Sequence, residues 1–421
     1  MSLADVIARG PGALAIAIED RVDVLFSAYA GHVVSVGAEI PPMTVSASDL
    51  PYLGAVHLLL GKLLRELLEK LQSVASRPAE AWFGSIGSTV VSIPGVVHGK
   101  TTLVQLPLLG SKYLDLLWGE GKNKKKGFNF PEELSEIIES VVGKNWDENA
   151  QRTFKSTVQV VNETTAAAIG EFHLRLREKK ELIANERRRL GSFAYLKLHN
   201  GINAAAIGEK VTVNLDQSEA GHSYPILHPD DHKAEFSGGC GYHRKCYEAV
   251  LGIQSFTRRA ALTKPSLFKS WNRKLKELKS EGRVETQGRC SGALDDALMQ
   301  YILGQDAGVE FVAWYAAQLA HQLAVGPFVP EQIVLGGKLA TSDVIDAVRI
   351  YVGEWANGFP HRHVFITETK KLDAFSKAGL VEFIVSAHEG GATTIEAHGA
   401  YAYAEYLVGR ESLLKPLHSS R

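Results

Sequence analysis

Cysteine is scarce in this chain, with Cys240, Cys246 and Cys290 the only three among 421 residues. So few, and an odd number, exclude a disulfide framework; in a reducing compartment a close pair such as Cys240 and Cys246 points instead to metal binding. An excess of charge is equally missing. The 46 Lys+Arg against 47 Asp+Glu leave a formal net charge of −1, which excludes a general attraction to nucleic acid or an acidic membrane and suits a small neutral ligand. No run approaches the roughly 18 uninterrupted apolar residues of a membrane span. Residues Met1 to Gly12 have neither the basic start nor the apolar stretch of a signal peptide, so a cytoplasmic protein is expected. There is no short-period repeat.

What is present reads as alternating strands and helices. Ala13 to Ile18 and Val22 to Ser27, around Glu19-Asp20-Arg21, predict a β-hairpin, with Val33 to Ile40 as a third strand. Leucines at 58, 59, 63, 64, 67, 68 and 71 predict an amphipathic helix over Tyr52 to Ala75, and Ala81 to Ile93 returns to strand character. The lysine run of Gly121 to Gly127 reads as a solvated loop. Thr157 to Val161 reads as a strand leading into a helix from Glu163, and Arg175 to Arg189 as an exposed helix end and loop. A second strand pair, Ser192 to Leu198 and Ala204 to Val213, flanks His199-Asn200-Gly201. Helices then follow at Lys264 to Glu285 and Ala307 to Val325, a strand at Gln332 to Leu335 ending in Gly336-Gly337, and a helix at Ser342 to Trp355. A chain of this length is expected to form two domains, and here each opens with a hairpin: two α/β domains facing a ligand cleft.

The segment HPDDHKAEFSGGCGYHRKC places His228, Cys240, His243 and Cys246 in an H-x11-C-x2-H-x2-C pattern. Two close pairs of imidazole and thiolate ligands suit tetrahedral zinc, and a closed set of four is structural because no position is left for water. His232 stands as a substitute ligand.

With Tyr247-Glu248 added, this segment resembles the zinc loop of ROK-family sugar kinases, the fructokinase-like branch in particular. Asn162 to Glu171 (NETTAAAIGE) resembles the family's N-D-x-N-A-A-A-x-G-E, Glu219 to His222 its E-x-G-H, Ile333 to Gly337 (IVLGG) its adenosine-side turn, and Gly399-Ala400 its final helix. The resemblance implies a two-domain actin-like or hexokinase-like (ribonuclease H-like) ATPase fold. Residues 1–165, with a returning helix at about 395–421, would form one domain and 166–394 the other. It further implies a hexose bound by Asn162, Glu163, Glu219, His222 and Glu248, and Glu163 as the catalytic base. A nucleotide would lie at Asn200, Gly201, Gly336 and Gly337, with structural zinc, ATP with Mg2+ and a homodimer completing the picture. Carboxylates, an amide and an imidazole are also the groups that satisfy a ring of hydroxyls, each at once donor and acceptor.

The chain departs from the family at the base and at the phosphate loops. Glu163 replaces an aspartate, moving its oxygens by about 1 Å. The family's D-x-G-G-T hairpin reads Ala17-Ile18-Glu19-Asp20-Arg21, and its G-T-G-x-G-G-G loop reads His199 to Ala205 with only Gly201 kept. Three readings therefore stand open: an ATP-dependent hexose kinase, a kinase-derived sugar-binding protein without phosphoryl transfer, and a different reaction in which Glu163 works with Glu219 or Glu248 as an acid/base pair.

Overall fold

The computed structural model describes residues 11–19, 21–27, 33–39, 51–74, 77–105, 128–143, 146–182, 193–199, 202–207, 220–238, 243–281, 296–325, 330, 332–355, 382–385 and 394–408. Contacts divide the chain into two units, 1–189 with 214–217 and 388–421, and 190–213 with 218–387.

In the first unit, β1 (Gly12–Ile18) is buried along its whole length, as its unbroken apolar sequence requires of a central strand. It pairs antiparallel with β2 (Arg21–Ser27), which pairs with β3 (Val33–Glu39). Helix α1 (Pro51–Val74) buries Val56, Leu60, Leu63, Leu64, Leu67 and Leu71. Leu58, counted by its spacing among the apolar positions, is 76% exposed, because the 3.6-residue period carries it off that stripe. The strand expected over Ala81 to Ile93 is instead a short helix α2 (Ala79–Phe83) followed by β4 (Ile86–Ile93). Trp82 turns inward there and meets the ring of Phe26 edge-on at 6.0 Å. A small sheet of β5 (Val96–His98), β6 (Thr102–Gln105) and β7 (Phe128–Asn129) precedes helices α3 (Phe130–Val142) and α4 (Glu148–Thr157). Strand β8 (Val158–Asn162) lies parallel to β4, giving the order β3-β2-β1-β4-β8, and helix α5 (Glu163–Leu182) starts at its carboxyl end.

The second unit repeats this plan. Strands β9 (Phe193–Leu198) and β10 (Ile202–Ile207) form the hairpin. After a 3-10 turn at Ala220–His222 come helices α6 (Pro229–Lys233), α7 (Tyr247–Leu251), α8 (Ile253–Thr263), α9 (Pro265–Ser280), α10 (Asp296–Leu303) and α11 (Asp306–Val325). Strand β11 (Gln332–Gly336) joins β9 in parallel, helix α12 (Ser342–Trp355) follows, and β12 (Glu382–Val385) joins β11. The order β10-β9-β11-β12 matches β2-β1-β4-β8 of the first unit. Phe256, Trp271, Phe311 and Tyr315 fill the core between sheet and helices. Among the described residues no helix is long and apolar enough to cross a membrane.

The chain returns to the first unit through α13 (Ile395–Leu407), which packs against α5 and β1. That packing keeps α5 whole within the first unit, whereas the family resemblance implied a boundary at 165. The small residues of the Asn162 to Glu171 motif explain it: a Cβ on Gly399 would lie 1.6 Å from the Ala166 carbonyl oxygen, and one on Gly170 would lie 2.5 Å from that of Ile395. Gly399→Ala is therefore expected to force the two helices apart at about 3 kcal/mol, lowering the Tm of the first unit by roughly 6–12 °C. Gly61, inside α1 with only ordinary contact to Ile137 at 3.8 Å, should respond oppositely: Gly61→Ala is expected to stabilise by about 0.5–1 kcal/mol. Thermal denaturation of the two variants in parallel checks both signs.

Candidate functional site

On the first unit, Asn162 ends β8 and Glu163 opens α5. The Asn162 side chain caps the helix: its Oδ1 accepts from Thr164 N at 2.9 Å, and its Nδ2 donates to the Gly95 carbonyl at 3.0 Å. One N–H and one lone pair of the amide are left for a ligand. Glu163, 8% exposed, stands at the first helical position, where the unpaired N–H groups of the helix end favour a negative charge. In the glycine-less hairpin, Glu19 N donates to the Arg21 carbonyl at 2.9 Å, and Arg21 pairs with the buried Asp23 at 2.9 Å. Asp20 lies outside the described residues.

On the second unit, one ligand atom each from His222, His243 and Cys246 lie within 4.8 Å of one another. His222 ends the 3-10 turn, which two features of β10 hold in place. Asn203 Oδ1 accepts from Ala220 N at 2.9 Å, and Gly221 presses against the Ile202 carbonyl so closely that a Cβ would stand 1.5 Å from it. Cys246 is the N-cap of α7, its Sγ accepting from Ala249 N at 3.4 Å. Glu248 follows in the first turn of that helix. His222 consequently faces two ways, with Nδ1 4.0 Å from Cys246 Sγ and Nε2 3.5 Å from Glu248 Oε2. The rings of His222 and His243 are 5.3 Å apart, and Tyr224 meets His243 edge-on at 5.5 Å.

Two imidazoles and a thiol are the donors that zinc selects, and tetrahedral zinc holds an imidazole nitrogen and a thiolate about 3.5 Å apart. The separation of 4.0 Å between His222 Nδ1 and Cys246 Sγ is a few tenths of an ångström wider, so the trio fits three corners of such a site. A carboxylate on the far nitrogen of a ligating histidine orients the ring and raises its basicity, which is the position of Glu248.

The ligand set read from spacing is corrected at one member, since His228 is not part of this cluster. It caps α6 through Nδ1, which accepts from Asp230 N at 3.3 Å, while its Nε2 lies 3.5 Å from Glu310 and its ring meets Trp314 at 4.9 Å. The other conspicuous residue of the HPDD run, Asp231, is fully buried; it pairs with Arg259 at 2.7 Å and accepts from the Tyr315 hydroxyl at 2.5 Å. Burial first, and then the charge of Asp231, push the Tyr315 hydroxyl well above the ordinary tyrosine range, so it remains the donor. His232, the substitute ligand, is exposed at the end of α6. Cys240 and Glu219 lie outside the described residues, as do Asn200 and Gly201 of the second loop.

The Gly336-Gly337 turn has a structural cause of its own. A Cβ on Gly336 would stand 2.0 Å from the Tyr195 hydroxyl, and Gly337 combines φ +94° with a Cβ position 2.4 Å from the Leu198 carbonyl. The adjacent Lys338 N donates to His199 Nδ1 at 3.3 Å, tying this turn to the end of β9. The residues that sequence reasoning missed are Asn203, Arg259, Tyr315 and Gln318. Asn203 and Gln318 each carry a signal, an isolated polar side chain within an apolar strand or helix, which must find a hydrogen-bond partner once buried.

Two units, each built on a hairpin-led mixed sheet of matching strand order, define a two-domain α/β protein of the actin-like fold class. The chain belongs to the ROK family, whose profile matches residues 63–384. Among curated proteins, the fructokinase of Zymomonas mobilis is 29% identical over 147 residues, which are 34% of this chain and 36% of that enzyme. The match thus spans little more than a third of the relative's length. Among solved structures, the glucokinase of Leishmania braziliensis aligns with 95% of this chain and 94% of its own at 14% identity and a TM-score of 0.49. The ROK hexokinase of Thermus thermophilus aligns with 94% and 99%, at 16% identity and a TM-score of 0.45.

Proposed function

We propose that this chain transfers the γ-phosphoryl group of ATP·Mg2+ to a hydroxyl of a hexose such as fructose or glucose, in the cytoplasm. The observation that carries this reading is the buried carboxylate of Glu163 at the carboxyl end of β8, the end of a parallel strand where α/β sheets place their ligands. Membership of the ROK family and the partial likeness to a fructokinase support it. Glu163 accepts the hydroxyl proton as the sugar oxygen forms its bond to phosphorus and the bond to the ADP oxygen breaks. On the first unit Asn162 binds a neighbouring hydroxyl; on the second, Glu219, His222 and Glu248 are hydroxyl-binding residues by the family resemblance, and the nucleotide takes Asn200, Gly201, Gly336 and Gly337. His222, His243 and Cys246 would hold zinc, with Cys240 as the fourth ligand from its place in C-x2-H-x2-C. A closed zinc site of this kind supplies a rigid brace and no open coordination position.

Incubation with ATP·Mg2+ and each of fructose, glucose and mannose tests the reading. ADP is expected to form only when a hexose is present. Heat of hexose binding in calorimetry without any ADP would instead mark a sugar-binding protein, and conversion of a sugar without ATP would mark an acid/base enzyme.

A further inference from the structure

The HPDD run and its surroundings have a role that the metal cluster does not absorb. Between the 3-10 turn at Ala220–His222 and α6, residues 223–228 belong to no helix or strand, so their main-chain polar groups must find partners outside any helix or sheet ladder. One face of α11 supplies them. Gln318 Oε1 accepts from Ile226 N at 2.7 Å, and its Nε2 donates to the Ile226 carbonyl at 2.8 Å, a two-bond rung of the sort neighbouring strands make. Trp314 Nε1 donates to the same carbonyl at 3.2 Å, and the Tyr315 hydroxyl accepts from His228 N at 3.3 Å while donating to Asp231. The Ile226 side chain is 77% exposed, so apolar packing does not seat this residue; its main chain does. Gln318 itself is only 7% exposed, and an amide in that position carries both a donor and an acceptor, which no apolar side chain can supply.

Ile226 lies four residues after His222. Upstream of His222 the chain is pinned by Asn203, and just beyond it Tyr247 N donates to the Ser223 carbonyl at 3.2 Å. Gln318 closes the downstream side of this grip. We propose that Gln318 is a positioning residue for the metal and hexose site, fixing through Ile226 the segment on which His222 stands between Cys246 and Glu248. The role rests on the reading of the site given under Proposed function. Gln318 touches neither ion nor sugar, and it acts on affinity for both while leaving the nucleotide alone.

The test uses the full chain with its zinc and compares wild type with Gln318→Leu, which keeps the bulk and removes both hydrogen bonds, and with Gln318→Glu, which keeps only the acceptor. Groups hydrogen-bonded directly to a metal ligand typically change its affinity by about 10–100-fold, and Gln318, which acts through four residues of main chain, is expected at the lower end of that range. For Gln318→Leu, zinc release to a chelator is expected to quicken by about tenfold and the KM for the hexose to rise by about tenfold. The KM for ATP and the kcat at saturating hexose should stay within about twofold, and the Ile226 amide should exchange faster with solvent. Gln318→Glu should be at least as damaging, since the Ile226 N–H keeps its acceptor but a buried carboxylate oxygen then faces the Ile226 carbonyl; Gln318→Met, which also lacks both hydrogen bonds, serves where Gln318→Leu does not fold. Folded variants with wild-type zinc release and hexose KM would overturn this role and leave the kinase reading intact. A uniform rise in both KM values would likewise overturn it, as a general loss of stability. A wild-type chain that holds no zinc and binds no hexose would overturn the reading of the site, and this role with it.

Discussion

Glu163→Gln is expected to lower hexose phosphorylation by about 10²–10⁴-fold, the usual worth of a general base, with hexose affinity changed no more than a few-fold. The amide matches the carboxylate in shape and can still hydrogen-bond a hydroxyl, but it cannot take the proton. The swap keeps the side chain's size, and glutamine forms helix as readily as glutamate; only the favourable charge at the start of α5 is lost, at roughly 0.3–1 kcal/mol. Glu163→Asp probes geometry instead of chemistry. The carboxylate stays, but it retreats by about 1 Å from a hydroxyl held by Asn162 and its partners, and a misplacement of that size costs about a hundredfold in rate. Steady-state ADP release, with hexose binding measured separately by calorimetry, separates the two effects. An increase in activity from Glu163→Asp would show that the site is not adapted to glutamate. Full activity in Glu163→Gln would remove Glu163 as the base.

Cys246→Ser is the second substitution with a large expected effect. Metal analysis of the purified protein should fall from about one zinc per chain to a small fraction of one, because a serine hydroxyl is not a zinc ligand of the thiolate kind. The change is unusually clean. Cys246 caps α7 by accepting from Ala249 N, and serine is among the best N-cap residues, so the helix keeps its start and the loss falls on the metal. Hexose affinity should drop with it, since His222 and Glu248 both lean on this cluster. His228→Ala supplies the contrast. Spacing alone makes His228 a ligand, whereas its ring faces Glu310 and Trp314, so zinc content should remain near one per chain while the α6 cap is lost at about 1 kcal/mol. A zinc-free His228→Ala protein would restore the spacing-based set.

Much of the fold could be read in advance because local rules and tertiary packing agree there. The strictly apolar β1, the polar turn at Glu19 between two apolar runs and, Leu58 apart, the leucine stripe of α1 each follow from apolar patterning that burial then satisfied. The stretch from Ala81 defeated that reading, since Trp82 and Phe83 are as welcome in a strand as on the inner face of one helical turn, and the nearby Phe26 ring decides between them. In the candidate site, Asn162, Glu163, His222 and Glu248 were all visible as residue types suited to hydroxyls. Their division of labour was not visible. Nothing in the sequence distinguishes an asparagine that caps a helix while contacting a ligand from one that only contacts a ligand.

Composition and order by themselves determined that this is a two-domain α/β chain of balanced charge, carrying His and Cys at metal spacing and a ROK-like succession of motifs. Those properties are additive along the chain, and each can be judged within a few residues of itself. Only the tertiary structure decided that His222 joins His243 and Cys246 while His228 turns away to α11, and that Gln318, 92 residues beyond Ile226, holds that segment in place. Both histidines lie within reach of the cysteines along the chain. Which one arrives depends on how the intervening irregular segment is seated, and that is set by hydrogen bonds from a distant helix, which no local pattern records.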